Sequence, residues 1–278
     1  MNRPAMGAHH SIAGGIQNAV GHATKAGSDT FQIFVKPNRQ WKPPSFTSEQ
    51  AEIFREGARG FLLPPVAHAS YLINLASPSP ETRQKSILSL VNELSACHQL
   101  GITDLVLHPG SHGGDGEDVG FTRIKEGLEI AVEKAQGGCF VALEITAGTG
   151  KNLGFRLEHL AKIRDEGPTE RLSVCLDTAH LFGAGYDLRT VEDVATLSEE
   201  IDRVLGWQTV RVAHLNDSKV PFASRKDRHE HIGLGEIGEE GFRAFLSLPR
   251  IREIPGIIET PSGEGMDRIN LAKLRQLS

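Results

Sequence analysis

Eight short apolar runs punctuate the chain, each followed by a longer stretch in which apolar residues recur at helical spacing. The runs occupy residues 6–9, 30–35, 65–69, 104–107, 139–145, 173–176, 209–215 and 256–259. Several are apolar almost throughout, as in Phe140-Val-Ala-Leu143 and Ile257-Ile258. That pattern suits parallel strands buried on both faces better than half-exposed antiparallel ones. Between them, residues 79–100 carry a cap candidate, Ser79, ahead of Pro80-Glu81. Ile87, Leu90, Val91 and Leu94 then recur at helical spacing, and Gly101 ends the pattern. Residues 121–136 repeat it with Ile124, Leu128, Ile130 and Val132, stopping at Gly137-Gly138. Fainter helical patterns cover 14–26, 48–59, 155–164, 190–205, 239–246 and 267–277, the first diluted by glycines.

Strand and helix thus alternate about eight times, with no Pro/Ser-rich linker, charge block or low-complexity tract between them. The pattern predicts an α/β fold, a single (β/α)8 TIM barrel spanning 1–278, with its active site at the C-terminal rim of the strands. A doubly wound sheet would favour a glycine-rich first turn that cradles phosphate. Gly14-Gly15 alone does not make one.

The polar residues that end the apolar runs carry the chemistry. The third run closes on His68, the fourth on His108, the fifth on Glu144, the sixth on Asp177, the seventh on His214 and the eighth on Glu259. They lie roughly 35–45 residues apart, and a barrel gathers its strand ends at one rim. A lone histidine there is more often a hydrogen-bonded structural residue, and a lone aspartate more often a helix cap. Six in succession are another matter. Converging carboxylates repel and converging imidazoles are desolvated unless a cation neutralises them. A His/Asp/Glu set without cysteine suits zinc or manganese.

Two loops extend the set. Asp177-Thr-Ala-His180 places a histidine just past a strand end, and Asp227-Arg-His229 puts two ligands on one face of an extended segment. His108-Pro-Gly-Ser-His112 has an i,i+4 spacing, but Pro109 and Gly110 exclude a helix, so His112 is expected only to support the ligands. Nine candidates exceed what one three- or four-ligand site can use, so two or three ions are expected. Glu144 is the natural bridge, and clustered ions point to phosphoryl chemistry.

Composition changes this picture little. The 278 residues carry 30 Lys+Arg against 35 Asp+Glu, a net charge of -5 that by itself argues against nucleic acid. Three divalent ions would bring that to about +1, focused at the rim. Residues 1–6 contain no apolar leader core, and no stretch approaches the roughly 20 apolar residues that span a bilayer. Cys97, Cys139 and Cys175 are isolated within apolar runs and read as small core residues. A cytoplasmic protein without a membrane partner is expected.

Taken in order, the motifs resemble those of the endonuclease IV family of apurinic/apyrimidinic endonucleases, which are trinuclear-zinc TIM barrels of base excision repair. They stand here as Gly7-Ala-His9, Arg39-Gln-Trp41, His68-Ala-Ser-Tyr-Leu-Ile-Asn74 and His108-Pro-Gly-Ser-His112. Glu144-Ile-Thr-Ala-Gly148, Asn152-Leu-Gly154, Asp177-Thr-Ala-His180 and Gly185-Tyr-Asp187 follow. The series ends with His214-Leu-Asn-Asp217, Asp227-Arg-His229, Gly235-Glu-Ile-Gly238 and Glu259-Thr260. The match spans nearly the whole chain.

The resemblance implies a first zinc on His68, His108 and Glu144. A second would sit on the shared Glu144 with Asp177, His214 and Glu259, and a third on His180, Asp227 and His229; manganese is an option at one site. Glu144 and Glu259 are then the catalytic carboxylates. It further implies in-line hydrolysis of the phosphodiester 5′ to an abasic site in duplex DNA, leaving 3′-hydroxyl and 5′ deoxyribose phosphate ends. Removal of 3′ blocking groups and a monomeric enzyme are also implied. Residues matching Arg39, Tyr71 and Leu72 enter the minor groove and wedge into the base stack, which costs least where a base is missing.

Three positions depart from the family pattern: Ile145 replaces an asparagine, Ala69 an aspartate, and His10 a small apolar residue. Loss of the first two weakens support for the ligands if their side chains supply it. The rival readings are a sugar isomerase or epimerase on a related barrel, which leaves Asp227-Arg-His229 without a role, and a damaged-DNA-binding protein that has lost ligands.

Overall fold

The structure is a computed structural model describing residues 3–278. Met1 and Asn2, part of the segment inspected for a leader, lie outside the described residues. Seven strands come first in the barrel: β1 (Ala5–His10), β2 (Gln32–Phe34), β3 (Val66–His68), β4 (Asp104–Leu107), β5 (Phe140–Glu144), β6 (Leu172–Asp177) and β7 (Val210–His214). Two short strands, β8 (Asp217–Ser218) and β9 (His229–Glu230), then pair antiparallel as a separate ribbon. β10 (Pro255–Ile258) closes the barrel between β7 and β1, and every barrel pairing is parallel. The eight expected strands are all present. Their ladders are mostly shorter at the C-terminal end than the apolar runs, because burial outlasts pairing: Val35, Ala69, Ile145 and Leu215 are buried beyond the strands.

The outer layer is formed by α1 (Asn18–Ala26), α2 (Ser48–Ala58), α3 (Pro80–Leu100), α4 (Glu117–Lys134), α5 (Leu157–Glu166), α6 (Thr178–Ala184), α7 (Val191–Val204), α8 (Gly238–Ser247) and α9 (Met266–Leu277). Local chemistry sets several ends. Ser79 accepts a hydrogen bond from the Thr82 amide, Pro80 opens α3, and Gly101 closes it in the left-handed region at φ 71°. Thr190 and Asp193 form a reciprocal capping box on α7. α1 starts later than its pattern suggested because Gly14 and Gly15, at φ 80° and 138°, form a turn. α4 starts one turn earlier, on Glu117 and Asp118, whose charges suit a helix N-terminus. α6 was not foreseen: it has 7 residues, six of them buried, so it shows no amphipathic period. Among the described residues, no helix is long and apolar enough to cross a membrane.

Inside the barrel, Val66, Val106, Ala142, Cys175, Val212 and Ile257 form an apolar cluster drawn from six strands. Side chains alternate along a strand, so the residue two positions on faces inward again. Those residues are His68, His108, Glu144, Asp177, His214 and Glu259. A dry floor therefore lies directly beneath a polar ring. Gly7 lets β1 join this packing, since a Cβ there would meet the Thr30 carbonyl oxygen at 1.8 Å.

Candidate metal centre

The ring of strand-end residues closes around Glu144, which is fully buried. Its Oε2 lies 2.8 Å from His108 Nε2 and 3.2 Å from His68 Nε2. Its Oε1 lies 3.0 Å from His214 Nδ1 and 3.2 Å from His180 Nδ1. One carboxylate thus faces two groups of imidazoles. His214 Nδ1 is also 3.3 Å from Glu259 Oε2 and 3.7 Å from Asp177 Oδ2.

Asp177 ends β6 and caps the helix that follows it. Its Oδ1 accepts the His180 amide at 2.8 Å, while Oδ2 turns toward the ring. The cap and the ligand candidate are the same residue, so both meanings of a strand-end aspartate hold at once. α6 then carries His180 back over the rim, where its Nε2 lies 3.2 Å from Asp227 Oδ2. His229, fixed on the β8–β9 ribbon, brings Nε2 to 3.3 Å from Asp227 Oδ1 and 3.8 Å from Asp177 Oδ2.

All nine predicted positions converge. The donor atoms of eight fall into overlapping sets within 4.8 Å: His68, His108 and Glu144; Glu144, Asp177, His214 and Glu259; and Asp177, His180 and His229. The third set has Asp177 where Asp227 was expected; Asp227 closes on it only through its contacts with His180 and His229. Cys175, in the floor, lies within the same reach of Glu144 and His214.

Hydrogen bonds to one nitrogen of each of four rings fix how the ring is turned, although His180 Nδ1 also lies near Glu144. His68 Nδ1 donates to the Ala69 carbonyl at 2.8 Å, His180 Nδ1 to the Ile145 carbonyl at 2.9 Å, and His229 Nδ1 to the Glu259 carbonyl at 3.0 Å. His214 Nε2 donates to Gln32 Oε1 at 2.9 Å. Two of these acceptors belong to the departing positions, Ala69 and Ile145. Main-chain oxygen does the orienting there, so the changed side chains do not remove it.

Burial alone pushes the Glu144 and Glu259 carboxyls up. The imidazoles outweigh it, His108 and His214 at Glu144, and His214 and His9 at Glu259, holding both well below the usual range. In return, His180 is raised against its own burial by Asp177 and Asp227, and His214 by Cys175, Glu259 and Glu144. His229 Nε2 is buried and has no hydrogen-bond partner, although it aims into the carboxylates. A dense His/Asp/Glu set with anchored imidazoles and an orphaned inward nitrogen fits divalent cations. Access comes from one side: the His108 side chain is 32% exposed and that of Asp227 45%.

Three contributors escaped the reading of strand ends: Gln32, His9 and Asn216. Gln32 donates to Glu259 Oε1 at 2.7 Å and accepts from His214, and its Nε2 lies 3.0 Å from His9 Nδ1. Asn216 donates to Asp177 Oδ2 at 2.7 Å and accepts the Glu259 amide at 2.6 Å. A polar residue interrupting the apolar run at 30–35 was the available signal for Gln32. His112 does not support the ligands as expected. It is buried, and its Nδ1 accepts the Gly114 and Gly116 amides at 3.3 and 3.0 Å, which makes it a turn staple.

Arg39 and Tyr71 stand exposed on the loops after β2 and β3, and Leu72 is half-buried beside them. Tyr71 is 59% exposed yet packs edge-on against Phe34 at a ring-centroid distance of 5.2 Å.

Comparison with known proteins identifies the family. A family model described as xylose isomerase-like TIM barrel matches residues 20–277. A protein of Chloroflexus aurantiacus named probable endonuclease 4 is 47% identical over 279 residues, covering 99% of this chain and 98% of its own. The chain belongs to the endonuclease IV family. Another member, from Geobacter sp., is 43% identical over 98% of both chains. The crystal structure of endonuclease IV from Thermus thermophilus superposes with a TM-score of 0.88 at 40% identity, covering 99% of this chain and 98% of that one. D-psicose 3-epimerase from Clostridium cellulolyticum, at 14% identity and TM-score 0.71, shares the barrel alone.

Proposed function

We propose that this member of the endonuclease IV family hydrolyses the phosphodiester 5′ to abasic sites in duplex DNA. The products are a 3′-hydroxyl and a 5′ deoxyribose phosphate, and the same displacement removes 3′ blocking groups. The observation that carries the reading is the convergence of eight donors into sets linked through Glu144 and Asp177, with Asp227 beside His180 and His229. His68, His108 and Glu144 would hold one zinc, Glu144, Asp177, His214 and Glu259 a second, and His180, Asp227 and His229 a third, with manganese able to replace zinc at one of them. When bound, such ions acidify water and stabilise charge on a phosphoryl group and its leaving oxygen.

The chain's own residues do the rest. Glu144 spans two donor groups and fixes their separation. Gln32 and Asn216 clamp Glu259 and Asp177, so the carboxylates do not reorganise as charge develops. The opening beside His108 and Asp227 admits a backbone phosphate, while Arg39, Lys151, Arg225, Lys226 and Arg228 are cations on rim loops. Tyr71 and Leu72 supply an apolar wedge for a base stack already weakened by a missing base. A monomer suffices, because every proposed donor comes from one chain. A sugar epimerase would leave the His180, Asp227 and His229 group unused.

The test is incision of a duplex carrying one tetrahydrofuran abasic mimic, beside an intact duplex, by zinc-loaded protein. Cleavage of the first alone is expected, and absence of cleavage overturns the proposal. Glu259→Gln should keep the fold by circular dichroism and lose at least about 100-fold in kcat.

A further inference from the structure

Away from the donor ring lies a second buried ionic group. Lys36 and Glu93 are 2% and 0% exposed, with Lys36 Nζ 3.3 Å from Glu93 Oε1. Neither ion is left short of partners. Lys36 Nζ also donates to Ser89 Oγ at 2.7 Å and to the Gln40 carbonyl at 2.9 Å. Glu93 accepts Ser89 Oγ at 2.8 Å and the Ser70 amide at 2.9 Å. Ser70 Oγ in turn donates to the Asn38 carbonyl at 2.7 Å and accepts the Leu72 amide at 3.4 Å.

These contacts have a common direction. Arg39 sits between Asn38 and Gln40, whose carbonyls are both pinned. Tyr71 sits between Ser70 and Leu72, whose amides are both pinned. The exposed side chains are thus carried on main chain clamped from beneath to α3. A buried ion pair is a poor device for stability, since its desolvation offsets most of its attraction and apolar replacement is often neutral or better. It does hold hydrogen-bonding atoms at fixed points.

We infer that Lys36 and Glu93 are positioning residues that set the β2 and β3 loops, and with them Arg39, Tyr71 and Leu72, in register for damaged DNA. The inference rests on the proposed role of those three residues at the DNA. It assigns the pair no part in metal binding or in the chemical step, because none of its hydrogen bonds reaches the nine donors. The pair acts on the geometry of recognition, so its loss should appear in substrate binding and not in turnover of bound substrate.

The experiment uses full-length zinc-loaded protein and the tetrahydrofuran duplex. The double variant Lys36→Met/Glu93→Gln removes both charges at nearly constant volume, so no unpaired ion stays buried. Ser70→Ala keeps the charges and cuts the link to Asn38. Relative to wild type, the double variant should raise KM by about tenfold with kcat within about twofold, and Ser70→Ala should raise KM less. Zinc per chain should be unchanged, and trypsin should cut after Arg39 faster in both.

A purely structural pair predicts lower melting temperature with unchanged KM, or joint loss of kcat, zinc and KM. Either outcome in the variants that fold overturns the inference. Tyr71→Ala separates the two proposals: if it leaves KM unaltered, the wedge reading fails, and the trypsin comparison still reports whether the pair holds the loop. If it raises KM while the double variant does not, the positioning role alone fails.

Discussion

Asn216 shows how a neutral side chain organises charged ones. It donates to Asp177 and accepts from the Glu259 amide, joining two donors that are 82 positions apart in the chain. Asn216→Ala should fold, hold zinc about 10–100-fold more weakly in competition with a chelator, and cleave abasic duplex more slowly to a similar degree. Equal affinity to wild type would show that Asp177 needs no such clamp. The six strand-end candidates were legible because a charged or imidazole residue at the end of an apolar run is conspicuous, and His180, Asp227 and His229 by their spacing in two loops. Gln32 and Asn216 were not, because an amide acquires meaning only from partners such as Glu259, which is 227 positions from Gln32.

At the scale of elements, two-residue alternation carried more than the run boundaries did. Val66 and His68, Ala142 and Glu144, or Val212 and His214 are floor and ring in one strand, and that pairing could be read from the chain. α6 could not, since a short helix buried nearly all round has no polar face to mark its period. The loop 233–237 was equally hidden. It is drawn in by Asp217, whose carboxylate accepts the amides of Gly233, Gly235 and Ile237 at 2.9, 3.0 and 3.0 Å. A Cβ on Gly235 would lie 2.4 Å from the Ser218 carbonyl oxygen. Gly235→Ala should therefore lower stability by about 1–3 kcal/mol, measured by urea unfolding, through displaced main chain and loosened Asp217 bonds. An exposed helix cap offers a milder comparison: Ser79→Ala should cost about 1 kcal/mol.

At the scale of the molecule, barrel closure turns distant strand ends into one site, and the net charge of -5 is explained in part by the carboxylates that site collects. Closure also needs its first and last elements joined. Asp29 does this, accepting from Arg3 Nη2 at 2.9 Å, from the Met6 amide at 3.2 Å and from Arg275 at 3.3 Å. Burial raises its carboxyl, but the Arg3 hydrogen bond, the Met6 amide and the Arg275 charge outweigh it, so the folded pKa lies below the ordinary value. A depressed carboxylate contributes stability that is present above its unfolded pKa and lost as pH falls through the folded one. Chelator-treated Asp29→Asn should thus unfold at lower urea than its parent at pH 7. The gap should close below about pH 4; a gap independent of pH would place the effect in packing instead.

As proposed, the rim of this barrel would hold three divalent ions on nine residues. Elemental analysis of fully loaded, desalted protein tests it most directly, with His229→Ala measured alongside. About three zinc equivalents per chain are expected for the parent and about two for the variant. One equivalent or fewer in the parent would contradict it.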